Sequence, residues 1–71
     1  MSSEYEIITS QMPGKHHAYL GDAVYVSFDG YQVWLSTSNG IEITNTIALE
    51  PPVYMHLLDY VENLRKAGIL T

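Results

Sequence analysis

The stretch VYVSFDGYQVWLSTSNGIEI, Val24 to Ile43, decides the fold, because it sets two turn pairs, Asp29-Gly30 and Asn39-Gly40, inside β-forming sequence. Apolar and smaller residues alternate from Ala23 to Phe28, which places Val24, Val26 and Phe28 on one side of an extended segment. Asp-Gly favours a two-residue type I′ hairpin, whose central residues both need positive φ. With that turn, Phe28 faces Tyr31, Val26 faces Val33 and Val24 faces Leu35. A second two-residue loop at Asn39-Gly40 would throw Ile41 and Ile43 onto the opposite side. A three-residue loop, Ser38-Asn39-Gly40, with a left-handed Gly40 in a bulge, keeps the apolar set together. Thr37 then faces Ile41, Leu35 faces Ile43 and Tyr31 faces Ile47.

Downstream lies LEPPVYMHLLDYVENLRKAGIL. Pro51 and Pro52 cannot continue a central strand but suit the first turn of a helix. Glu50 near the start, and Arg65 and Lys66 near the end, complement the helix dipole. Val53, Leu57, Tyr60, Val61 and Leu64 fall on one stripe, flanked by Tyr54 and Leu58, while His56, Asp59, Glu62, Asn63 and Lys66 form the other side. Gly68 ends the helix, with Ile69 placed to make the apolar contact that follows such a cap.

Upstream, EYEIIT (4–9) has strand-forming residues and could add a fourth, edge strand. SQMPGKHH (10–17) carries the breakers Pro13 and Gly14 and reads as a loop leading into AYLGD. The sequence therefore predicts an α+β fold in two layers, a three-stranded antiparallel meander with one C-terminal helix packed on its aliphatic face. Residues 1–18 form an N-terminal segment, loop or edge strand, ahead of a single β-β-β-α domain over 19–71.

The register has a consequence for the other face of the sheet. Tyr25 falls opposite Trp34 and Trp34 opposite Thr44, among Ala23, Ser27, Gln32, Ser36, Glu42 and Thr46. Aromatic residues at the centre of a polar face suit a binding surface, since Tyr and Trp bury large area and keep a polar handle. The candidate contact residues are Tyr25, Trp34, Gln32, Thr44 and Glu42. Two other readings stay open, coverage by the chain's own N-terminal segment and simple exposure of a cross-strand pair that stabilises the sheet.

Seventy-one residues make a small domain, and the chain has no cysteine. Small domains lacking disulfides or a metal gain stability by self-association, so a homo-oligomer is expected. Eight acidic residues against three basic ones give a formal charge of −5. Lys15, Arg65 and Lys66 form no basic stripe, which argues against direct nucleic-acid binding. No apolar run approaches the roughly 20 residues of a membrane span, and MSSEYEIITSQ lacks the features of a secretory signal, so the expected compartment is the cytoplasm.

Chemical constellations are sparse. His16 and His17, with Asp22 and His56, could contribute to a metal site, but their spacing matches no metal motif. Asp22 follows Gly21 in YLGD and either caps a turn or shares a pocket with His16, His17 and Tyr19, the alternative ligand set. Asp29, Asp59 and Glu62 are explained by a turn and a solvated helix face. GxSxG, GxGxxG and Walker-type phosphate loops are absent. The expectation is a non-enzyme without catalytic residues, metal or cofactor.

LGD, FDGY, WL and LEP, at these separations between residues 19 and 62, resemble a group of short phage- and prophage-encoded proteins. The resemblance supplies no catalytic or binding motif. It implies a stoichiometric inhibitor that contacts a host protein, such as a component of anti-phage defence like a CRISPR effector, in the host cytoplasm. Two alternatives come from other classes. One is an oligomeric sponge for a nucleotide messenger, with Tyr25 or Trp34 stacking on a base and Lys15, His16 or Arg65 meeting a phosphate. The other is a small metal-dependent hydrolase built on His16, His17 and Asp22.

Overall fold

The computed structural model describes residues 3–70; residues 1, 2 and 71 lie outside it. The element order is α1 (Glu4–Thr9), β1 (Lys15–Gly21), β2 (Val24–Phe28), β3 (Val33–Ser38), β4 (Ile43–Leu49) and α2 (Pro51–Lys66). The strands form one antiparallel sheet in the order β1-β2-β3-β4. The architecture is α+β, with a C-terminal helix as expected and four strands rather than three.

The fourth strand is not EYEIIT. That segment is α1, and the edge strand is Lys15–Gly21, which begins within the stretch that Pro13 and Gly14 mark as a loop. The helix starts because Ser3 caps it, its Oγ accepting from the Glu6 amide at 3.2 Å, with Glu4 and Glu6 in the first turn. Ser3 followed by Glu6 is a capping-box spacing, and this local signal outweighs the β-propensity of Ile7, Ile8 and Thr9.

Both predicted turns shift by a small step. Asp29 and Gln32 close the β2–β3 loop, with the Asp29 amide donating to the Gln32 carbonyl at 3.2 Å. The Asp29 carboxylate takes the role a backbone carbonyl would have, its Oδ1 accepting from the Tyr31 and Gln32 amides at 2.8 and 2.6 Å. The β3–β4 loop repeats the device: Asn39 Oδ1 accepts from the Ile41 and Glu42 amides at 3.0 and 2.9 Å. Phe28 therefore pairs with Val33, Val26 with Leu35 and Val24 with Thr37. Across the next pair Leu35 meets Ile47 and Val33 meets Leu49. Through β2, β3 and residues 45–49 each register moves by an even number of residues, so those side chains keep their predicted face although their partners change, while Ile43 and Thr44, beyond the bulge, exchange faces. The bulge lies between Thr37 and Ser38, not at Gly40, and the extra residue is Thr44.

A type I′-like two-residue turn does occur, but at Asp22-Ala23, where φ is 50° and 65°. Gly14 opens β1 with φ of 73°, and a Cβ there would approach the Phe28 carbonyl oxygen to 2.8 Å.

The core lies on the face that was expected to be free. Ile8 of α1, Met12 just after it and Tyr25 of β2 are buried together, with Ile43 packed against them. Ser27 and Ser36 are buried on the same side. Three ties hold α1 and its following turn to the sheet. Tyr5 donates its hydroxyl to the His17 carbonyl, and Ser27 Oγ donates to the Pro13 carbonyl at 2.7 Å. Gln11 brackets the start of β4, donating to the Ile41 carbonyl and accepting from the Ile43 amide.

Helix α2 does not cover the aliphatic face, which corrects the expected packing. No residue of α2 is buried, and Val24, Val26, Phe28, Val33 and Leu35 stay half-buried. Chain geometry explains this. Glu50 alone joins β4 to α2, and it is extended (φ −71°, ψ 162°) as a residue before proline must be. A helix can fold back on a sheet only through a loop that reverses the chain. Here strand and helix run on, about 23 Å of strand followed by about 24 Å of helix. The longest dimension, 46 Å, matches that sequence of elements.

Candidate functional site

The predicted contact face is divided by the fold. Tyr25 is 3% exposed and lies within the core. Its ring is 4.9 Å from that of Tyr19 and 6.2 Å from that of Tyr5, centroid to centroid. Burial raises its phenol pKa, and the Glu4 carboxylate and the two neighbouring tyrosines push the same way. Tyr25 pairs with Ser36 and Trp34 with Ser27 and Ala48, so the expected Tyr25–Trp34–Thr44 row is not formed. Thr44 belongs to the opposite face, its hydroxyl 2.7 Å from that of Thr37.

Trp34 is half-buried and fixed in place. Its Nε1 donates to Asp29 Oδ2 at 2.9 Å. With the Gln32 and Tyr31 amides on the other carboxylate oxygen, this holds the Asp29 carboxyl below its ordinary value, the indole contact being the largest cause. Gln32 and Glu42 are loop residues whose backbones close the two turns. Of the five predicted contacts, Tyr25 is thus core, Trp34 and Gln32 support the first turn, Glu42 supports the second, and Thr44 lies elsewhere.

The alternative ligand set is also dispersed in role. The Tyr19 hydroxyl accepts from the Ala23 amide at 3.1 Å and props the Asp22-Ala23 turn. Asp22 is a residue of that turn. His17 Nε2 is shut off from solvent with no hydrogen-bond partner among the described residues. His16, at φ of 55°, lines an open cleft of about 330 Å³ with Gly14, Lys15, Phe28, Asp29 and Gly30. Among the described residues no group of three or more His, Asp or Glu side chains could hold a metal ion.

What the structure exposes is the apolar stripe of α2 and, on the preceding strand, Ile47. Val53, Leu57 and Tyr60 are 50%, 44% and 61% exposed, and Ile47 of β4 is 57% exposed. On the helix, Val53, Leu57, Tyr60 and Leu64 recur at spacings of four, three and four, the seam of one helix packing along another. The charged groups Asp59, Glu62 and Lys66 lie away from this seam. A helix with this pattern normally buries it. Sequence reasoning identified every one of these residues and assigned them to the core. The signal that they stay open is the missing loop between Leu49 and Pro51.

No helix of the described residues is long and apolar enough to cross a membrane. Comparison with known proteins gives no matching family model, no matching curated protein and no matching solved structure.

Proposed function

We propose that the chain is a non-enzymatic protein-binding module that works by covering another protein surface. A stoichiometric inhibitor of a host defence component, as the resemblance to short phage-encoded proteins implies, is the form of that function we favour. One observation carries the reading: the apolar seam of α2 stays unburied in the folded chain, and the aliphatic sheet face is only half-buried. Isolated apolar residues are ordinary on protein surfaces, but an amphipathic helix whose apolar stripe stays unburied marks an interaction site. The functional surface is therefore α2 with the aliphatic sheet face, not the Tyr25–Trp34 face.

The test is a photo-crosslinking residue at Tyr60, with Tyr31 in the exposed β2–β3 loop as control. Crosslinks in the expressing cell, with the captured chain identified by mass spectrometry, are expected at residue 60 and not at 31. No crosslink at 60 would sink the reading.

A second reading, sequestration of a nucleotide, draws on the cleft beside Lys15 and His16. The Asp29 carboxylate in its wall opposes a phosphate, and buried Tyr25 cannot stack on a base. Calorimetry with cyclic nucleotides separates the two readings, since only the sponge predicts heat.

A further inference from the structure

We infer that the occupant of α2 is a second copy of this chain, docked antiparallel through the Val53-Leu57-Tyr60-Leu64 seam about a two-fold axis. The inference rests on reading α2 as an interaction surface; with the seam closed by the second copy, the aliphatic sheet face is what remains for a host protein.

The first argument is area. The chain exposes 5140 Å² at a mass of 8.0 kDa. A folded monomer of that mass exposes about 4,450 Å². The excess, about 700 Å², is close to the roughly 800 Å² that each partner contributes to a standard interface. The radius of gyration agrees: 13.8 Å, where a compact chain of this length has about 11 Å. The surplus surface is one protomer's share of a dimer.

The second argument is charge. At −5, two copies repel unless their contact is free of like charge. The seam carries none. Along its Tyr54 side run Glu50, at the helix start, and Arg65, near its end. In an antiparallel pair, flanks of the same kind meet, so Glu50 of each copy comes beside Arg65 of the other, and the helix dipoles oppose. Val53 then meets Leu64, and Leu57 meets Tyr60, each contact occurring twice as a two-fold requires. A parallel pair brings unlike flanks together and forms no Glu50–Arg65 pair. Among the described residues Arg65 makes one ion pair, a 3.7 Å contact to Glu62 with both side chains more than half exposed, which leaves its guanidinium open to a partner.

Light scattering across a concentration series, with Trp34 fluorescence as the check on the fold, tests this. The unaltered chain should show twice the 8.0 kDa chain mass. Leu57→Asp should return it to a monomer. Glu50→Arg should weaken the dimer about tenfold, the scale of two solvent-exposed ion pairs reversed. Glu50→Arg with Arg65→Glu should restore it. Dipole effects within one helix predict the contrary, because both changes oppose the dipole and their costs would add. A monomer at all concentrations, a trimer or tetramer, an unaffected Glu50→Arg variant, or a double variant weaker than the single one would each overturn the inference. A monomer whose residue 60 captures a different protein would remove the second copy and leave the interaction surface standing; a monomer that captures nothing removes both.

Discussion

Six-residue α1 and sixteen-residue α2 divide the work of this fold in the opposite way to their lengths. α1 supplies Ile8, fully buried, and closes one face of the sheet. α2 supplies no buried residue. The shorter helix is followed by the Ser10–Gly14 turn, which lets it lie back over β2 and the start of β4, with Tyr5 tied to β1. The longer one is spliced to β4 through Glu50. Amphipathic pattern says that a helix will bury a stripe; the connection decides against what.

The contrast breaks most sharply at Ile8. Ile8→Ala removes a fully buried side chain and should cost about 2–5 kcal/mol, much of the roughly 4–10 kcal/mol expected for a chain this size. Leu57→Ala, at 44% exposure, should cost under about 1 kcal/mol in dilute monomer. Urea melts of both variants at low concentration check this. Equal losses would mean that α2 packs within the chain after all.

Acid should act on the α1 side of the sheet. Asp29 has its carboxyl held below its ordinary value of 3.8, so its contribution is fully present above about pH 4 and fades as pH falls through the lower, folded value. Asp29→Asn should flatten that part of the stability–pH curve and change Trp34 emission. An unchanged acid limb would show that the indole contact carries no stability.

The smallest effect is expected at Ala23, which holds φ of 65° in the β1–β2 turn. Ala23→Gly should stabilise by up to about 1 kcal/mol, relief of left-handed strain outweighing the added freedom of the unfolded chain. A loss in thermal melting temperature would show that the turn is unstrained.

Much of this was legible in the sequence. The alternation from Val24 to Phe28 fixed the two faces, and because pleated strands alternate with period two, even-numbered shifts left those faces intact except at the bulge, where Ile43 and Thr44 change sides. α2 was visible in full, from Pro51-Pro52 to Gly68. Three things were hidden. The Ser3–Glu6 cap was outweighed by the β-branched residues after it. The Asx side chains at 29 and 39 moved each turn by standing in for backbone carbonyls, which composition alone does not reveal. Finally, Tyr25 read as a surface aromatic because its neighbours are serines, and small residues are also what a closely packed helix requires beneath it.

The account's central claim is that, in one chain, the Tyr25 face is closed and the α2 seam open. Oxidative footprinting at a concentration where the chain is monomeric measures this directly. Tyr60, 61% exposed, should label many times faster than Tyr25, 3% exposed, and raising the concentration should protect Tyr60 while leaving Tyr25 unchanged. Tyr25 labelling as fast as Tyr60, or Tyr60 already protected in the monomer, would contradict it.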